Sequence, residues 1–267
     1  MQAVVGELPQ CGVADPSFGG FDVPGHVSQL SVANSNVGVG YTDDMSNPTV
    51  LILGASRGLG LGMAAEFRAR GWNVIGTVRD GSPGGLADLD VTVETLDITS
   101  PEQLDALRRR LDGRSIDLLF VNAGVPSTDG PVSAVSTEEF VDVMVTNVLS
   151  PLRAVETLAD LVPPTGTIAV MSSRQGSITL NDNAGYDVYR ASKSALNQLM
   201  RSYAVRHEGD GRTLLLVNPG HVRTELGGPG AVRTVAEAVP PVVDTVEKRA
   251  GTGGFHFVDY ADQVVPW

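Results

Sequence analysis

The chain has 267 residues, 42% of them hydrophobic, which suits one α/β domain with a core of ordinary size. A formal net charge of −12 argues against a nucleic-acid backbone or an anionic membrane surface as partner. A lone cysteine, Cys11, excludes an internal disulfide framework and a cysteine metal cluster, and His26, His207, His221 and His256 lack ligand spacing.

No apolar run is long enough to span a bilayer. The N-terminus carries neither the basic-then-apolar pattern of a secretory signal nor the arginines of a transit peptide, so a cytoplasmic enzyme is expected. Residues 1–47 contain no Lys or Arg, and the first basic residue is Arg57. They are rich in Gly, Ser, Asn and Val, without sustained periodicity, and offer little apolar surface to offset ordering entropy. An irregular or disordered extension is expected there, with Met45 as a candidate translation start. The alternative is an arm that covers a neighbouring subunit.

From Pro48 the pattern becomes regular, and 48–267 reads as one catalytic domain. Strand-like runs follow at Thr49–Leu53, Asn73–Val78, Val91–Leu96, Leu118–Asn122, Gly166–Ser172, Thr213–Asn218 and Gly254–Val258. Helical stretches separate them. One opens at Gly58. Another opens at Ser100–Pro101, where serine caps and proline takes the first turn. A third opens at Ser136, with Glu139 three residues on as a capping box. Two more cover Asp187–His207 and Arg233–Arg249. Near-continuous apolar strands alternating with helices predict an α/β fold: a doubly wound parallel sheet of about seven strands, covered on both faces.

The run Leu51-Ile52-Leu53-Gly54-Ala55-Ser56-Arg57-Gly58-Leu59-Gly60 follows a strand and opens a helix, the context a dinucleotide loop needs. Gly54 permits the tight turn, Gly58 a close approach to the pyrophosphate, and Gly60 close packing of helix on strand. The helix N-terminus offers free N–H groups and partial positive charge to phosphates. No Gly-Lys-Ser/Thr follows, so this is not a P-loop. Arg79 ends the second strand, where an NAD enzyme usually carries a carboxylate for the ribose 2′-OH. With Arg57 it offers cations for a 2′-phosphate, which favours NADP(H). Asp80 follows directly and keeps NAD(H) open.

Tyr189 and Lys193 stand four apart in a predicted helix and share a face. A free phenol titrates near ~10, and a nearby ammonium favours its phenolate. Such a pair can protonate a carbonyl oxygen or deprotonate an alcohol. Tyr186 and Tyr203 lack a lysine at that spacing, having Arg190 and His207 there instead.

Leu53 to Gly60, Asn122-Ala123-Gly124, Asn147, Ser172-Ser173, Tyr189-Arg190-Ala191-Ser192-Lys193 and Pro219-Gly220 form an ordered set. With them, the chain from Thr49 to Trp267 resembles the short-chain dehydrogenase/reductase family. Met171 to Ile178, Asn218 to Pro229, and the stretch from Gly253 to Trp267 look most like its C-factor and sniffer-type carbonyl reductase group. The resemblance implies a Rossmann-type fold and an NADP(H)-dependent oxidoreductase that interconverts a small-molecule carbonyl, aldehyde or ketone, and an alcohol. By resemblance, Tyr189 is the acid/base and Lys193 tunes it and holds the nicotinamide ribose. Ser173 bonds the substrate oxygen, and Asn147 holds a water that feeds protons toward Lys193. Gly54, Ser56, Arg57, Gly58, Leu59 and Gly60 cradle the cofactor, while Asn122, Ala123 and Gly124 line its cleft. Asp97, with Ile98 beside it, caps the adenine; a strand-end turn role for Asp97 stays open. Pro219, Gly220, Val222 and Thr224 flank the nicotinamide. By resemblance, the helices containing Asn147 and Tyr189 are candidate pairing faces for a homodimer or homotetramer, and a monomer stays open, since the C-factor group contains apparent monomers.

Three departures matter. Leu53 stands where the family has threonine, which puts loop order in question. The gap from Ser173 to Tyr189 is long, so Asn181-Asp182-Asn183-Ala184-Gly185 is expected as a loop beside the substrate, and Ser172 stays open as an alternative catalytic serine. His221 follows Pro219-Gly220 where an aromatic is common, as a cleft-lining or substrate-touching residue. The rival reading is a cofactor-binding redox sensor or signalling factor with little turnover. Epimerase or dehydratase chemistry would need a larger C-terminal lobe than the 47 residues after Gly220 provide.

Overall fold

Val50, Leu51, Ile52 and Leu53 leave the first strand with no polar side, and all four are fully buried. Such a strand must lie inside a sheet covered on both faces. The computed structural model describes residues 47–267; the expected N-terminal extension, Asn47 apart, lies outside them, as do Cys11, His26 and Met45. The strands are β1 (Thr49–Leu53), β2 (Asn73–Val78), β3 (Thr92–Thr95), β4 (Leu118–Val121), β5 (Thr167–Met171), β6 (Thr213–Asn218) and β7 (Gly254–Asp259). They form one seven-stranded sheet in the order β3-β2-β1-β4-β5-β6-β7, with every named pair parallel.

The helices are α1 (Gly58–Ala69), α2 (Pro101–Arg110), α3 (Thr137–Met144), α4 (Ser150–Leu158), α5 (Asp187–Arg206) and α6 (Val235–Arg249). Alternate residues of each strand divide between two cores. Leu51 and Leu53 pack with Leu104 and Leu107 of α2, Val155 and Leu158 of α4, and Leu196 and Met200 of α5. Val50 and Ile52 pack on the other face with Met63 and Phe67 of α1 and Val239, Val242 and Val246 of α6. Gly62 lets α1 approach α6, since a Cβ there would stand 2.6 Å from Val235 Cγ1.

The expected elements are all present, with ends moved by a residue or two. Ser100 caps α2 by accepting from the Gln103 amide, with Pro101 in the first turn. The capping box expected at Ser136 forms only by half. Ser136 accepts from the Glu139 amide, but the Glu139 carboxylate reaches across to the amide and hydroxyl of Thr128. A complete box stands instead at the start of α6, where Thr234 and Glu237 bond each other reciprocally. Between α3 and α4 the helix opens into a π turn over Val145–Leu149, and Asn147 sits in its middle. The order of strands reverses between β1 and β4, and a crevice at the carboxyl ends of such strands is where ligands bind in open α/β sheets.

Candidate active site

The glycine loop leaves the carboxyl end of β1. Gly54 has φ +89°, and Gly58 has φ +56°, both in the left-handed region that favours glycine. At Gly60 a Cβ would lie 2.0 Å from the Gly54 carbonyl oxygen, so the helix can start only on a bare Cα. The N-cap residue of α1, Arg57, makes no side-chain cap bond, and the first turn holds no acidic residue. The first amides of α1 therefore face outward with their dipole unneutralised. Asn122 fastens the loop from β4, donating from Nδ2 to the Gly54 carbonyl at 2.8 Å, while the Asn122 and Ala123 amides both donate to the Leu53 carbonyl. Gly54 and Ala123 are in contact. The loop and Asn122-Ala123-Gly124 thus form one wall across the switch point.

Leu53 does not leave this loop loose. Its side chain is fully buried in the core. The hydroxyl comes from the neighbouring strand: Thr77 Oγ1 accepts from the Gly54 amide at 3.0 Å, and the Thr77 carbonyl accepts from the Ala55 amide at 2.8 Å. Thr77 escaped the sequence reading. Its signal was a buried threonine two residues before Arg79, beside a loop that had lost its own.

The two arginines are placed differently. Arg79 is exposed at the end of β2 and close enough to Asp97 to lower the carboxyl's pKa, though the Thr99 hydroxyl is the larger cause. Asp97 Oδ1 accepts from the amide and hydroxyl of Thr99, the strand-end turn role left open above. Ile98 is buried in the core cluster that also holds Leu104. Leu59 packs against the other core. Arg57, by contrast, forms an exposed ion pair with Glu225. Thr224 leans on the same loop, since a Cβ at Gly58 would meet Thr224 Cγ2 at 3.4 Å.

Three elements bring the candidate chemical groups together. Ser172 and Ser173 follow β5. The Ser172 hydroxyl is buried and donates to Asn197 Oδ1 at 2.6 Å. Ser173 Oγ instead accepts from the Gln175 amide at 3.1 Å and lies close enough to Tyr189 to work against the rise of its phenol's pKa. Tyr189 and Lys193 both lie on the buried side of α5, at 9% and 4% exposure. Lys193 Nζ donates to the Met171 carbonyl at 3.0 Å and stands 5.8 Å from the Tyr189 ring centroid. The Tyr189 amide donates to Ser127 Oγ at 3.2 Å, and Ser192 Oγ to the Tyr189 carbonyl at 2.7 Å, which fix this turn of α5. A Cβ at Gly124 would stand 3.3 Å from Asn147 Oδ1 and 3.8 Å from Lys193 Nζ, so its bare Cα keeps that side open.

Burial dominates the electrostatics. It pushes the Tyr189 phenol up to about 12, with the nearby Ser173 hydroxyl working against it. It pushes Lys193 down to about 8. The expected lowering of the phenol by the ammonium does not emerge here, because desolvation of a buried phenolate outweighs its partners. At neutral pH Tyr189 is a protonated donor.

Asn147 is fully buried and its carboxamide is committed. Oδ1 accepts from the Val125 amide at 2.8 Å, and Nδ2 donates to the Val125 carbonyl and Ser192 Oγ. Pro219 and Gly220 follow β6; Gly220 has φ +79° and donates its amide to Asn218 Oδ1. Val222 is buried, and Thr224 Oγ1 accepts from the Gly227 amide at 3.0 Å. His221 is exposed and its Nε2 bonds the Gly227 carbonyl at 2.8 Å, closing the 221–227 loop. Residues 181–184 form an exposed irregular stretch that enters α5 through Tyr186, whose φ of +54° is unusual for a side-chain-bearing residue.

A wall of glycines thus stands near a buried Tyr–Lys pair at the carboxyl ends of the central strands. The short chain dehydrogenase family model matches residues 48–231, and the chain belongs to that family of oxidoreductases. A short-chain dehydrogenase/reductase from Burkholderia multivorans, solved with bound NADP, is 52% identical over 83% of this chain and all of its own, with TM-score 0.81. The carbonyl reductase Sniffer of D. melanogaster is 27% identical over 83% of this chain and all of its own, with TM-score 0.76. The C-signal of Myxococcus xanthus is 29% identical over 57% of this chain and 93% of its own. The expected likeness to the C-factor and sniffer-type group is thus found. No helix among the described residues is long and apolar enough to cross a membrane.

Proposed function

We propose that the protein reduces a small aldehyde or ketone with NADPH, with Tyr189 as proton donor. The observation that carries this is the buried Tyr189–Lys193 pair on α5, with Lys193 Nζ 5.8 Å from the Tyr189 ring centroid and opposite the bare Cα of Gly124. The uncapped, acid-free first turn of α1 and the bare glycines fit a dinucleotide pyrophosphate, held by the amides of residues 56–60. Arg79 is the cation suited to a 2′-phosphate, and the likeness to a relative solved with NADP supports that choice over NAD. When bound, the nicotinamide supplies the hydride.

Ser173 and Tyr189 would hold the carbonyl oxygen from two sides, and Tyr189 would deliver its phenolic proton as negative charge develops there. Lys193, cationic at neutral pH, would stabilise the phenolate that remains. Asn147 would hold the 125 backbone and Ser192 in place, and so the floor beneath Lys193. An oligomer through the outer faces of α3 to α5 belongs to the same reading, since Phe140, Leu149 and Leu199 are exposed there.

Tyr189→Phe is expected to lower kcat about 10³-fold while NADPH binding stays nearly unchanged. Normal turnover by that variant would end this assignment. The likeness to C-signal favours a second reading, a cofactor-binding signalling protein with little turnover. Tight NADPH binding by the unmodified protein, without reduction of any member of an aldehyde, ketone and quinone panel, would favour it.

A further inference from the structure

We infer that Arg233 and Tyr260 form a clamp that sets the turn from Pro219 to Arg223, and so act as positioning residues for the nicotinamide side of the cleft. The inference rests on the proposed reading that this turn flanks the nicotinamide.

Local bonds hold part of this turn: the Gly220 amide donates to Asn218 Oδ1, His221 Nε2 bonds the Gly227 carbonyl, and Arg223 Nε donates to the Ala231 carbonyl. Gly220 sits in the left-handed region, at φ +79°, and His221 is exposed. Two residues from distant parts of the chain enclose it. The backbone of Arg233 bridges it: the Arg223 amide donates to the Arg233 carbonyl at 2.7 Å, and the Arg233 amide to the His221 carbonyl at 3.3 Å. The Arg233 side chain then folds over Tyr260, with its guanidinium carbon 3.5 Å from the ring centroid. The Tyr260 ring lies directly behind Gly220, where a Cβ would be 3.0 Å from Cε1 and 4.0 Å from Arg233 Nη1.

Tyr260 is in turn held at both backbone ends. Its amide donates to the Asn218 carbonyl at 2.9 Å, and its carbonyl accepts from the buried Thr245 hydroxyl at 3.0 Å. Thus β6 and α6 fix Tyr260, Tyr260 fixes the guanidinium, and the Arg233 backbone fixes residues 221 and 223. A guanidinium stacked flat on a ring gains both electrostatic attraction and contact area, which an ammonium reproduces only in part. The phenol hydroxyl has no part in this argument, so phenylalanine should serve as well as tyrosine.

Amide deuterium exchange of residues 220–224 in the ligand-free protein, NADPH titration and steady-state reduction test the clamp. For Arg233→Ala, we expect faster exchange confined to this segment and NADPH binding weakened about three- to tenfold. Arg233→Lys should fall between, Tyr260→Phe should match the unmodified protein, and Tyr260→Leu should copy Arg233→Ala. Unchanged exchange in both Arg233→Ala and Tyr260→Leu overturns the clamp. Faster exchange with unaltered NADPH affinity and rates overturns its positioning role. The underlying site reading is tested separately: NADPH should protect the 220–224 amides of the unmodified protein, and failure to do so removes that reading whatever the variants do.

Discussion

At the scale of single residues, the tension lies at Lys193. An ammonium at 4% exposure has one described hydrogen bond, to the Met171 carbonyl, and burial brings its pKa down to about 8. Tyr189 moves the other way, to about 12. Under the proposed mechanism the donor stays protonated through neutral pH, while the cation that stabilises its product is lost first. The kcat/KM for carbonyl reduction is therefore expected to be level near neutrality and to fall as pH rises through about 8. Lys193→Arg, which keeps its charge, should lower the plateau and carry the falling limb to higher pH. A pH–rate profile checks this, and a limb left near 8 in the arginine variant would take it away from Lys193. Thr77 shows a different kind of economy, where one residue on β2 restrains two successive amides of the glycine loop that Leu53 cannot reach.

At the scale of elements, the helix starts differ in how completely they are capped. Thr234 and Glu237 satisfy each other at the start of α6, whereas Glu139 is drawn away from Ser136 to tie down Thr128. Thr234→Ala is expected to cost about 1 kcal/mol, and Ser136→Ala about 0.5 kcal/mol, read from urea unfolding midpoints. Equal losses would mean the reciprocal bond adds nothing. The π turn over Val145–Leu149 has a positional effect too. It turns Asn147 inward, where its carboxamide serves Val125 on one side and Ser192 on the other. Helical periodicity alone could not have foretold this, because a π turn shifts the phase of the pattern without ending it.

At the scale of the whole molecule, an acidic protein, at −12, must attract an anionic cofactor through a few local cations and helix dipoles. Arg79 stands exposed at the rim, whereas Arg57 is paired with Glu225. Arg79→Asp should therefore lower the NADPH-to-NADH preference in kcat/KM by about tenfold or more. An unchanged ratio would move the 2′-phosphate elsewhere. The strands and the ordered site motifs were legible in the sequence because apolar runs and glycine spacing are local signals. The bond from the Ser172 hydroxyl to Asn197 became visible only in the fold. Thr77, the diverted Glu139 and the Arg233–Tyr260 stack stayed hidden for a related reason, since each takes its meaning from a residue brought beside it by the fold.

The packing of α1 against α6 also bears on the order in which the protein is made. Met63 and Phe67 leave the ribosome more than 170 residues before Val239, Val242 and Val246, which share their core. One face of the sheet therefore stays half-clothed over that interval, with its apolar side chains open to the wrong neighbours until α6 arrives.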